Sequence, residues 1–138
     1  MTGVYIHVPF CVKKCAYCSF YSESGAEKFE GAYVKKVVRE AEKYSGETAD
    51  TLYFGGGTPS ALSADALIFM LRGIKRFIKF SDDSEITIEA NPKTVTEEKL
   101  KKLFDAGFNR ISFGFQSFSD DELKFLGRIH SADDNKKA

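Results

Sequence analysis

Residues 4–20, VYIHVPFCVKKCAYCSF, run from an alternating apolar stretch straight into a loop that holds every cysteine of the chain, Cys11, Cys15 and Cys18. In the first five residues Val4, Ile6 and Val8 share one face of an extended chain and Tyr5 and His7 share the other, the pattern of a strand between two different environments. Strand-like runs return at TLYF (51–54), EITIEA (85–90) and RISFGF (110–115), the last two with the same alternation, and each run is followed by a segment with helical spacing. Strand then helix, repeated, predicts an α/β fold of about four βα units on a parallel sheet.

Between the first two strands, Phe29, Tyr33, Val37, Ala41 and Tyr44 recur every three or four residues and predict a helix over 26–44 with its apolar face on the sheet. Ser63 is placed to cap a second helix whose stripe is Leu67, Leu71, Ile74 and Ile78, and Thr96 opens a third that stops at Gly107. Ser119 with Glu122 three residues on reads as a capping box for a fourth helix, with Leu123 and Leu126 facing inward. Residues 131–138, SADDNKKA, are polar enough to be expected to fray, so 1–130 is taken as the domain and 131–138 as a tail.

Strands buried on both faces read as nearly continuous apolar runs, whereas these alternate, so one face of the sheet meets something polar. That face carries Tyr5, His7, Thr87, Glu89, Ser112 and Gln116, side chains suited either to water or to a polar ligand in the lumen of a curved sheet. Ligands of such folds sit in the loops at the carboxyl ends of strands, and the unusual residues lie there. The cysteine loop follows the first strand and Gly55-Gly56-Gly57-Thr58-Pro59 follows the second, where missing side chains let backbone groups approach a ligand. Glu89 ends the third strand and can accept from paired hydroxyls; Gln116 ends the fourth and can donate and accept.

The chain carries 20 basic and 20 acidic side chains in 138 residues, so no net field draws nucleic acid or anionic lipid. No basic lead-in precedes an apolar run, and none is long enough to span a bilayer, so the protein is expected in the cytoplasm. Three cysteines within eight positions make a poor disulfide framework, and a reducing compartment leaves them free for metal. Zinc would need a fourth donor, His7 or an incoming ligand. An iron–sulfur cube held by three thiolates would keep one iron open, as a metal that holds substrate requires. Structural or singly reactive thiols are the remaining alternatives.

The C-x3-C-x2-C loop resembles that of the radical S-adenosylmethionine (SAM) superfamily. More narrowly, YIHVPFCVKKCAYCSF, LYFGGGTPSAL, IEANP, SFGFQSF and LGRIH, in this order, resemble the oxygen-independent coproporphyrinogen III oxidase group and its haem-chaperone branch. The resemblance implies the N-terminal part of a partial (β/α)6 barrel, a [4Fe-4S] cluster on Cys11, Cys15 and Cys18, and SAM on the open iron. It implies Gly56, Gly57 and Thr58 at the methionyl end of SAM, Glu89 at its ribose, Gln116 and Arg128 at further parts, Tyr17 near adenine, and Tyr5 beside SAM and the cluster at the barrel mouth with His7 nearby, Tyr5 as a cofactor-binding residue and both as catalytic candidates. Reductive cleavage of SAM to methionine and a 5′-deoxyadenosyl radical is the chemistry it implies, fed by an electron-donor protein.

Porphyrinogen-decarboxylating members resemble this loop but carry a further cysteine where this chain has Phe20; the haem-chaperone branch has phenylalanine. The expected function is therefore haem binding and transfer to acceptor proteins, with porphyrinogen decarboxylation or a zinc-binding structural module as the alternatives. The resemblance also implies six strand–helix units where only four are read here. This stretch is expected to be an N-terminal piece that is weakly folded, oligomeric (a dimer, for instance) or dependent on the rest.

Overall fold

The computed structural model describes residues 2–25 and 27–138. Strands β1 (Gly3–Val8), β2 (Thr48–Gly56), β3 (Lys79–Ala90) and β4 (Arg110–Phe113) form one sheet in chain order, with every neighbouring pair parallel. Parallel neighbours need a crossover. Helices α1 (Glu30–Ala41), α2 (Ala64–Lys75) and α3 (Glu97–Ala106) supply it, α2 packing against both others. The sheet and the βα order match the expectation.

The alternation in the strands decides where the core lies. Val8, Leu52, Phe54, Ile86 and Ile88 are buried against Leu67, Met70, Leu71 and Ile74 of α2, with Val34 of α1 and Leu103 of α3 in the same cluster. Each such side chain taken fully out of water contributes roughly 1.5–3 kcal/mol. Ser63 caps α2 by accepting the Ala66 N–H at 3.2 Å, while the Glu30 carboxylate accepts from the Ser63 N–H and hydroxyl at 2.9 and 2.8 Å. One acidic side chain thus ties the start of α1 to the start of α2. Thr96 caps α3, and Gly107 closes it in the left-handed region.

Four details differ from the sequence reading. Phe29 and Tyr44 are exposed, because they fall in 3-10 turns at Glu27–Phe29 and Glu42–Tyr44 where the 3.6-residue register no longer applies; Val34 is buried instead. β4 ends at Phe113, two residues early, since the chain turns at Gln116 with φ 58. The capping box of Ser119 and Glu122 is not formed at α4 (Asp120–Phe125): Ser117 Oγ donates to the Glu122 carboxylate and accepts the Ser119 N–H at 3.0 Å. Leu123 is buried as expected and Leu126 partly so.

The tail is the fourth. Residues Ala132–Lys137 form helix α5, opened by a capping box between Ser131 and Asp134, with the Ala132 N–H donating to Asp120 Oδ1 at 2.8 Å and Asn135 buried. Polar composition suggested fraying, but the caps and a buried amide hold the turn. No described helix is long and apolar enough to cross a membrane.

Candidate functional site

A narrow neck fixes the cysteine loop. Phe10–Cys11 pairs in parallel with Glu23–Ser24, and the Glu23 N–H donates to the Pro9 carbonyl at 2.8 Å, so the loop between them leaves and re-enters the fold at one point. Inside it the Cys18 N–H closes a turn on the Cys15 carbonyl at 3.1 Å, and Lys14 Nζ reaches the Ser22 carbonyl at 3.3 Å. All three thiols are free and partly exposed.

The glycine loop lies alongside. The Gly57 N–H donates to the Val8 carbonyl at 2.8 Å and the Thr58 N–H to the Phe10 carbonyl at 2.7 Å, while Thr58 Oγ1 approaches Cys11 Sγ at 3.6 Å. A Cβ on Gly57 would stand 2.7 Å from the Phe10 carbonyl and 3.0 Å from Cys11 Sγ, so only glycine lets the two loops come this close. Gly56 has φ +112, and a Cβ there would meet the His7 ring at 2.8 Å.

From the far end of the chain Arg128 completes the enclosure: Nη1 lies 3.4 Å from both Cys15 Sγ and the Tyr17 hydroxyl, and Nη2 donates to the Gly114 carbonyl at 2.8 Å. Burial pushes the Tyr17 phenol up, against the opposing charge of Arg128.

Two adjoining hollows result. A small one of about 60 Å3 is lined by Cys11, Cys15 and Cys18 with Gly57, Thr58 and Arg128. The other, a cleft of about 310 Å3, is lined by Tyr17, Cys18, Gly56, Gly57, Thr58, Glu89, Gln116 and Arg128, together with Phe20, Asn91 and Ser112. Residues drawn from five separate stretches of sequence therefore converge at the carboxyl ends of the strands. An apolar groove of about 560 Å3 lies between β1 and α1, away from the thiols.

Glu89 is held at both oxygens. The Tyr53 hydroxyl donates to Oε1 at 2.7 Å and the Gly56 N–H to Oε2 at 3.1 Å. Burial first, then the bond to Glu89, raises the Tyr53 phenol above its ordinary value, which keeps it a donor. Tyr5 stacks on Tyr53 with ring centroids 6.1 Å apart, and burial with the Glu89 charge raises its phenol as well.

Tyr5 and His7 stand beside the cleft and not among its lining residues. His7 Nε2 pairs with the Tyr21 carbonyl at 2.9 Å, which can only accept, so the neutral ring carries its proton there and Nδ1 accepts from the Tyr5 hydroxyl at 3.2 Å. With both nitrogens engaged, His7 is not turned toward the thiols as a zinc donor. Among the described residues no three His, Cys, Asp or Glu side chains close on one metal position.

Sequence reasoning missed Tyr53 and Asn91, and put Ser112 on the polar face without assigning it to the site. Tyr53 pairs in register with Tyr5 and Thr87 on the polar side of the sheet, a placement that the strand register gives and the run TLYF alone does not.

The sequence profile of the Radical SAM superfamily matches residues 5–138, and the chain belongs to that superfamily. Among its relatives are the heme chaperone HemW of Haemophilus influenzae, 42% identical over 99% of this chain and 38% of its own length, and HemW of Escherichia coli, 41% identical over 99% and 37%. Radical S-adenosyl methionine domain-containing protein 1, mitochondrial, of Mus musculus is 40% identical over 96% of this chain and 31% of its own. Among solved structures, the coproporphyrinogen III oxidase HemN of Escherichia coli, described as a radical SAM enzyme, superposes with a TM-score of 0.83 at 28% identity, over 96% of this chain and 32% of that one. The chain thus spans less than two fifths of these relatives' lengths.

Proposed function

We propose that this chain is the cluster- and SAM-binding part of a haem-chaperone-like radical SAM protein of the cytoplasm. One observation carries the reading: three free thiols on a tethered loop adjoin a cleft lined by Tyr17, Gly56, Gly57, Thr58, Glu89, Gln116 and Arg128. Similarity to HemW chaperones over nearly the whole chain supports the choice of branch.

The donor set fits a [4Fe-4S] cluster better than a single zinc. A cube takes one thiolate per iron and tolerates separated donors, whereas a closed zinc site needs four converging ligands. Cys11, Cys15 and Cys18 would hold it, leaving one iron for SAM. When bound, the pair would supply reductive cleavage of SAM to methionine and a 5′-deoxyadenosyl radical, with electrons from a donor protein. The residues of the chain position and exclude. Glu89, held at both oxygens by Tyr53 and Gly56, presents its remaining lone pairs to a diol; Thr58 and the bare backbone at Gly56 and Gly57 line the amino-acid end; Arg128 offers a cation between the cysteine loop and β4. Tyr5 and His7 brace the cysteine loop through the Tyr21 carbonyl. Haem, haem-acceptor proteins and a dimer belong to the whole protein on this reading.

Anaerobic reconstitution of the full-length protein tests it. Iron and sulfide should give a brown protein whose cluster signal changes on SAM addition; haem should give a Soret band and pass to an apo-acceptor without consumption of coproporphyrinogen. A colourless protein with tetrahedral thiolate–zinc coordination would sink it. The HemN fold match favours one second reading, porphyrinogen decarboxylation, which wins if coproporphyrinogen III is decarboxylated.

A further inference from the structure

We propose that the segment from Arg128 to Asn135 is a clasp on the carbonyls flanking Gln116, and that His130 and Asn135 are positioning residues that hold Gln116 toward the cleft. The inference rests on the reading above that Gln116 helps to hold SAM.

Gln116 has φ 58 and is the one non-glycine residue with positive φ among the described residues. A side chain in the left-handed region crowds the backbone, so the conformation persists only where surroundings enforce it. No strand does so, because β4 ends at Phe113. The enforcement comes from one later segment. Arg128 Nη2 donates to the Gly114 carbonyl at 2.8 Å, His130 Nε2 pairs with the Phe115 carbonyl at 3.0 Å, and Asn135 Nδ2 donates to the Ser117 carbonyl at 2.7 Å and lies 3.4 Å from that of Phe115. Carbonyls on both sides of Gln116 are held at once, and the Ser117 N–H closes a tight turn on the Phe115 carbonyl at 2.8 Å.

Both buried side chains serve through their donors alone. His130 and Asn135 are each 4% exposed, and His130 Nδ1 and Asn135 Oδ1 are buried without a partner among the described residues. A carbonyl can only accept, so His130 carries its proton on Nε2. An unpaired buried acceptor is costly; if these residues only filled space, apolar side chains would do so without that cost. The Ser131–Asp134 capping box and the bond from the Ala132 N–H to Asp120 fix the turn that carries Asn135. Released from these donors, Gln116 would relax out of the left-handed region and its amide would leave the cleft wall.

The test uses the full-length protein, anaerobically reconstituted, with SAM affinity from titration of the cluster signal and amide exchange across 114–118. Asn135→Leu and His130→Phe should each weaken SAM binding about tenfold, as loss of a hydrogen bond that orders a ligand-facing residue does, with iron content unchanged and faster exchange at 114–118. His130→Gln, which offers an amide N–H near the Nε2 position, should restore most of the affinity. In Gln116→Ala the affinity should fall similarly, and adding Asn135→Leu to it should cost little more. If Gln116→Ala loses affinity while Asn135→Leu and His130→Phe bind SAM normally, the clasp is wrong and the SAM reading stands. Wild-type affinity in Gln116→Ala would remove the SAM role of Gln116 and the proposal with it. Should Asn135→Leu not fold, the contrast between His130→Phe and His130→Gln decides.

Discussion

Arg128 Nη1 lies 3.4 Å from Cys15 Sγ, a residue 113 positions earlier in the chain. Its other terminal nitrogen holds the Gly114 carbonyl, so one planar group bridges the cysteine loop and the end of β4. Lysine cannot reproduce two diverging donors. Arg128→Lys and Arg128→Met should therefore both weaken SAM binding, by about 10- to 100-fold, as hydrogen bonds from a charged donor contribute roughly 1.5–3 kcal/mol. Anaerobic titration of the reconstituted full-length protein measures this; an Arg128→Lys variant with unchanged affinity would show that charge alone suffices.

Gly57→Ala should be damaging although it adds one methyl group. The added Cβ would meet the carbonyls of Phe10 and Val8 at 2.7 and 3.0 Å, and backbone cannot swing aside as a side-chain tip can. Overpacking of this kind costs about 1–3 kcal/mol. Because Cys11 Sγ is also 3.0 Å away, the strain should appear as lower iron incorporation as well as a lower Tm. Gly25, whose Cβ would meet nothing within 4 Å but whose φ is +72, makes the contrast: Gly25→Ala should cost stability through its backbone while leaving iron content unchanged.

Strand alternation and loop position make the frame of this site legible in the chain itself. Val4, Ile6 and Val8 opposed Tyr5 and His7 by period alone, and the carboxyl-end rule put Cys11, Gly57, Glu89 and Gln116 at one end of the sheet, where the cleft is found. What stayed illegible depends on long-range partners. Tyr53 looks like any strand aromatic until Glu89 is seen 2.7 Å away. His130 and Asn135 sit in a polar stretch that composition alone assigns to solvent, and their burial follows from docking on carbonyls of 115 and 117, which no local pattern encodes. The Ser119 and Glu122 pair failed for a related reason: Ser117, two residues upstream, reached the carboxylate first.

Lys99 carries a further expectation. Its Nζ donates to the carbonyls of Ser60, Leu62 and Thr94 at 2.6, 2.7 and 3.1 Å, pinning the loop after β2 to the loop after β3. Burial holds its ammonium below the usual lysine range, with Glu30 opposing. Lys99→Met keeps the stem and removes the head, leaving three carbonyls without this donor, and should destabilise the protein by about 2–3 kcal/mol. Denaturant unfolding of the full-length protein reads that loss directly. Lys99→Arg should not rescue it, since a planar fork cannot point at three converging oxygens.

The last expectation concerns pH. Burial, helped by the charges of Arg128 and Lys93, lowers the His130 pKa from its ordinary value of 6.5, while the Phe115 carbonyl and Asp134 oppose without reversing the shift. In the window between the lowered folded value and 6.5 the unfolded chain binds a proton at this site that the folded chain does not, so stability rises with pH across it. Acidification below about pH 6.5 should therefore cost stability, and the loss should level off only once the folded state also takes up the proton. His130→Gln keeps an N–H donor that does not titrate. The difference in unfolding free energy between wild type and His130→Gln should be constant above pH 7 and drift against the wild type as the pH falls below about 6.5. A difference that stays flat through that range would mean that His130 is not held neutral against the Phe115 carbonyl.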